Sequence, residues 1–132
     1  MVLFYVFIFA KIAWSIAIIA APKAGWECFH QGLSDYASGS ILMCFRTSAI
    51  LSLGFYSYAF LGGIKVWNVG MVCAINGAWS WVIFDTNPPM LIDGSPNCDA
   101  EVGRLIALTW AFFWCSLMSV NFAFMEKFST EW

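Results

Sequence analysis

The chain is predicted to be an all-α integral membrane protein. Four transmembrane helices form two antiparallel hairpins, with two long loops on one face and both termini and a short turn on the other. Three observations predict this. Hydrophobic residues make up 61% of the 132 residues and charged residues 11%, whereas an ordinary soluble domain has about 45–50% and about 25%. A soluble domain this short has too little interior to hide that much apolar surface. The apolar residues also gather into four long runs, and none alternates as the strands of a membrane barrel do.

A span needs about 20 mostly apolar residues. The first covers residues 2–21 and is interrupted only by Lys11. The second covers 41–61, with Arg46 near its start. The third (66–84) and fourth (105–124) carry no charge. Backbone groups in lipid must pair within the segment, so the spans are helices. The first run reads as a helix and not as a secretory signal: it has no charged leading region, and Lys11 splits its apolar stretch. The four spans make one transmembrane domain, 1–132.

Residues 22–40 and 85–104 form the long loops. Residues 61–65 form the tight turn, with Gly62 and Gly63 allowing a sharp reversal. Pro88, Pro89, Gly94 and Pro96 give the second loop turn chemistry. Asp35 and Ser38 are candidate caps for the second span, and Asp99 for the fourth. Lys65 and Lys127 on one face balance Lys23 and Arg104 on the other, so basic residues do not orient the chain. The acidic Glu27, Asp35, Asp85, Asp93, Asp99 and Glu101 all fall on the long-loop face, and the termini are expected in the cytoplasm, stroma or matrix.

Charge and cysteine usage exclude several functions. Net charge is −2 without a basic run, so nucleic acid is not a partner. No two cysteines form a C-x-x-C pair, which argues against thioredoxin-like redox chemistry and compact zinc sites. The single histidine, His30, leaves a bis-histidine haem without its second ligand. No His/carboxylate cluster suggests metal-dependent hydrolysis, and the chain is not expected to be an enzyme.

Cys28 and Cys98 lie in the two loops on one face. They either bridge the hairpins in an oxidising compartment or remain free thiols. Cys44, Cys73 and Cys115 read as small apolar packing residues. Intramembrane charge is costly and marks function by default. Lys11 either contacts a partner subunit, lipid or cofactor, or snorkels to the termini face. Arg46 and Asp85 are expected to form a structural ion pair, with anion binding by Arg46 as the alternative. Asn68, Asn76 and Asn121 are expected to hydrogen-bond between helices. Ser48 with Ser52, and Gly70 with Ala74, Gly77 and Ser80, suit close helix approach.

Aromatics reach 19%, with eight Trp and thirteen Phe. Trp26, Trp67, Trp81 and Trp132 fall near expected interfaces, while Trp14, Trp110, Phe112, Phe113 and Trp114 lie within spans. Four helices cannot bury so many rings among themselves. The outward rings are expected to meet lipid, other subunits or flat pigments such as chlorophyll and carotenoid. Candidate axial donors are Glu27, His30, Gln31, Asn68, Asn76 and Asn121. Glu101-Val-Gly-Arg104 resembles a fragment of the light-harvesting helix motif. Its Glu and Arg stand three apart where the motif has five, and the Asn is missing, so no family is assigned.

These features predict a non-catalytic accessory subunit of a large membrane complex. Its partners are other integral membrane subunits, pigments or lipids, in a photosystem or light-harvesting assembly of a thylakoid membrane. The alternatives are an accessory subunit of a mitochondrial respiratory complex and a small transporter or channel acting as a homo-oligomer.

Overall fold

The computed structural model describes residues 2–97 together with 105, 108 and 109. The described part is all-helical: α1 (Val2–Ala20), α2 (Pro22–Phe29), a short 3-10 turn (Ser34–Tyr36), α3 (Gly39–Gly62) and α4 (Val66–Asp85). α1, α3 and α4 take up the first three expected spans. Two of them, at Leu3–Ala20 and Gly39–Gly62, are long and apolar enough to cross a membrane. All of the fourth expected span but residues 105, 108 and 109, and with it Asn121, Cys98 and the Asp99 cap, lies outside the described residues.

α2 occupies what the sequence predicts to be loop. Pro22 has no N–H and fixes its own φ, so it ends α1 but suits the first position of a new helix. Ala21 before it leaves the helical region, at φ −136° and ψ 71°. Within α2, Lys23 Nζ and Glu27 Oε1 stand 4.0 Å apart on the surface. Gly25 permits the fold back: a Cβ there would sit 2.8 Å from Ile18 Cγ1. Trp26 is then fully buried, a core residue where the sequence suggests an interfacial belt.

α3 starts at Ser38, whose Oγ accepts the Ile41 N–H at 3.4 Å. Asp35, the other candidate cap, falls in the 3-10 turn. α3 ends where Gly63 adopts φ +76° and its N–H reaches the Ala59 carbonyl at 3.0 Å, a left-handed stop that glycine allows. The chain reverses through residues 63–65, and Asn68 Nδ2 donates to the Gly63 carbonyl at 2.7 Å to close the turn. That bond is local to the turn; an interhelical role was expected for Asn68.

α3 packs against each of the other helices, and two apolar clusters result. At the turn end, Phe4, Phe7 and Ile8 of α1 meet Tyr56 and Ala59 of α3 and Val69 and Val72 of α4. At the loop end, Ile18, Trp26, Phe45, Ala49 and Trp79 form the second cluster. Between them each long helix contributes a buried polar residue: Ser15, Ser52 and Asn76. Of the small residues expected to permit close approach, Ser52 and Ser80 face inward, whereas Gly70, Ala74 and Gly77 are exposed.

Candidate functional site

The expected Arg46–Asp85 pair does not form; both residues are exposed. Arg46 Nε donates instead to the Ile19 carbonyl at 3.2 Å. The carbonyls closing a helix lack intrahelical donors, and Pro22 deprives this end of one more. A cation there also meets the negative end of the helix dipole. Arg46 therefore clamps α3 to the end of α1, and Asp85 lies free of it at the end of α4.

The two loops do meet on one side, through His30. Thr86 Oγ1 donates to the Val82 carbonyl at 2.8 Å and lies 3.4 Å from that of Ile83. Its proton is thus committed, and it accepts from His30 Nε2 at 3.1 Å. In that arrangement Nε2 carries the proton and Nδ1 the lone pair. Nδ1 is sealed from the surface without a well-aligned hydrogen bond. Burial pushes the His30 pKa down to about 4, while the Asn87 side chain acts in the opposite sense. Trp26 lies against the ring, 4.7 Å between centroids. A pigment magnesium reaching Nδ1 would have to open this buried contact.

The second loop is ordered by its own polar groups. Leu91 N–H donates to the Ser95 carbonyl at 2.9 Å, around a turn with Gly94 at φ +81°. Asp93 Oδ1 accepts from Ser95 N–H and Oγ at 3.0 and 2.6 Å, bonds that hold its carboxyl below the usual range. Asn97 Nδ2 donates to the Pro88 carbonyl at 2.9 Å.

The mid-bundle polar layer is partly satisfied. Trp79 Nε1 donates to Ser52 Oγ at 2.7 Å, and Ser52 Oγ donates to the Ser48 carbonyl at 2.7 Å. Ser15 Oγ and Asn76 Nδ2 are buried without partners, so the amide nitrogen of Asn76 makes no interhelical bond. Lys11 sits one turn before Ser15, on the same side of α1, half-buried. Its Nζ stands 5.3 Å from the centroid of the Phe7 ring. Gln31 is exposed beyond α2, and Cys28 and Cys44 are exposed free thiols. No group of His, Cys, Asp or Glu among the described residues can hold a metal ion.

The outer seam between α3 and α4 carries two adjoining grooves that sequence reasoning did not find. One, of about 190 Å³, is lined by Leu51, Ser52, Phe55, Ile75, Trp79 and Val82 among others. The other, of about 510 Å³, is lined by Ile50, Leu51, Gly54, Phe55, Tyr58, Trp67 and Met71. Leu51 and Phe55 wall both, so the grooves run as one apolar trough. Its signal in sequence was Gly54 facing Trp67 and Met71 across the hairpin, visible only once α3 and α4 are set in register.

No family model matches the chain, and no curated protein or solved structure matches it.

Proposed function

We propose that the chain is a non-catalytic, multi-pass accessory subunit of a large membrane complex, in a photosystem or light-harvesting assembly of a thylakoid membrane. The observation that carries this reading is the aromatic trough between α3 and α4. Its larger groove, about 510 Å³, falls in the range that holds organic ligands of about 300–1,000 Å³. Tyr58 and Trp67 on its walls are more than half exposed. Such a surface suits flat or extended apolar molecules: a chlorophyll ring, a carotenoid or a lipid chain. In this reading α1, α3, α4 and residues 105–124 cross the bilayer, and the polar loop end holds the first three together at one face. Trp81, exposed and stacked on Phe84 at 5.3 Å, supplies a second flat contact near that face.

Gentle detergent solubilisation, followed by native electrophoresis and absorbance, tests the reading. The expected result is migration within a large complex carrying visible pigment. A colourless complex would relocate the subunit to a respiratory assembly. A small colourless oligomer that passes solute in liposomes would overturn the reading in favour of a transporter.

A further inference from the structure

We infer that Lys11 is the docking point for a carboxylate carried at mid-span by a helix of a different membrane protein; the inference rests on the subunit reading above and names the partner's chemistry. Lys11 stands near the middle of α1, a helix of 19 residues. That length is about 28 Å, close to the roughly 30 Å of hydrocarbon. An ammonium at that depth needs a counter-charge. None of the described carboxylates meets it: Glu27 pairs with Lys23, and Asp93 bonds Ser95. Asp35 and Asp85 lie at the loop end. Its one described neighbour of favourable electrostatics is the Phe7 ring at 5.3 Å, a contact that leaves the charge unneutralised.

The expected spans hold no counter-charge, in this chain or in a second copy. No Asp or Glu occurs in residues 2–21, 41–61, 66–84 or 105–124. A homodimer would bring two lysines to this depth and no acid. Lipid phosphate is a poorer fit. The side chain points toward the start of α1, but only as far as Phe7. Phe7 is five residues inside Val2, or about 7–8 Å along the axis, and headgroups lie beyond that. Lys11 and Trp14 are both half-buried on this flank, so neither residue is locked in the core. An approaching helix with Glu or Asp at its centre meets Lys11 at the right depth.

The test uses the full chain in phosphatidylcholine vesicles with labelled synthetic Leu/Ala transmembrane peptides bearing a central Glu, Gln or Lys. Energy transfer is expected to report binding of the Glu peptide about fivefold tighter than the Gln peptide, with the Lys peptide weakest. Lys11→Gln should erase the Glu preference, Lys11→Arg should keep it, and Lys23→Gln should not touch it. Circular dichroism checks that each variant remains helical, and the arginine variant keeps the test valid should Lys11→Gln misfold. Equal binding of the Glu and Gln peptides overturns the inference. So does a Lys11-dependent response to added phosphatidylglycerol in place of the Glu peptide, which would assign the charge to lipid. The two readings fail separately. A native complex that forms with no carboxylate preference sinks the docking point alone. A chain that migrates by itself yet prefers the Glu peptide sinks the subunit reading alone.

Discussion

The two ends of the bundle are held by different physics. At the turn end, one amide bond, from Asn68 to the Gly63 carbonyl, closes the turn, and the packing around it is apolar and edge-to-face: Phe4 with Tyr5 at 5.4 Å, and Tyr5 with Phe60 at 5.6 Å. The chain there reverses on a glycine. At the loop end, the apolar cluster around Trp26, Phe45 and Trp79 is topped by directed polar bonds, from His30 to Thr86 and from Arg46 to the end of α1. Apolar contact is indifferent to pH and tolerant of sliding. A neutral imidazole bonded in one tautomer is neither. The loop end is therefore where position is specified and where conditions can change it.

The largest effect should come from removing the ring that joins α2 to the bundle. Trp26→Ala empties a fully buried site and should cost about 3–5 kcal/mol. Hydrogen exchange in mixed micelles should show α2 and the end of α4 losing protection while the first half of α1 keeps it. Equal loss at both ends would show that the two clusters act as one.

Acid should come next. His30 binds its proton at about pH 4 in the fold and near 6.5 when unfolded. A lowered pKa contributes stability that is fully present above 6.5 and is lost as pH falls toward 4. The loss amounts to at most about 3 kcal/mol. Unfolding measured between pH 7 and 4 should show it, and His30→Gln should flatten the dependence. At the turn end, Gly63→Ala places a side chain at φ +76° and ψ −167°, a region essentially reserved for glycine, and should cost about 1–3 kcal/mol, with no pH dependence.

This contrast also marks what the sequence made legible. Long apolar runs announce α1, α3 and α4 almost to the residue, because each is an apolar stretch bounded by glycine, proline or charge. α2 was hidden because it is short and polar, and Gly25 reads as a breaker. Pro22 and the Lys23–Glu27 spacing were nevertheless a helix start and an i,i+4 pair in plain view. Trp26 was misplaced for the same reason, since a belt residue and a core residue differ only in which helix carries them. Sign and depth in the sequence match Arg46 to Asp85. The actual partner of Arg46 is a backbone carbonyl, which no side-chain pattern reveals. The tautomer of His30 depends on where Thr86 sends its proton, a fact of three dimensions alone.

The smallest expected effect lies between the two ends. Trp79 belongs to the loop-end cluster, but its Nε1 reaches into the polar layer to donate to Ser52 Oγ at 2.7 Å. Trp79→Phe keeps an aromatic ring in the cluster and removes that donor. Ser52 Oγ still donates to the Ser48 carbonyl, so no buried proton is orphaned and the loss should be about 1 kcal/mol. Unfolding in mixed micelles measures it, and the double variant with Ser52→Ala decides its meaning. If the two substitutions together cost no more than Trp79→Phe alone, the bond is the coupling between α3 and α4 at this height. If their costs add, the ring's packing carries the effect, and the middle of the bundle is held by apolar contact, as the turn end is.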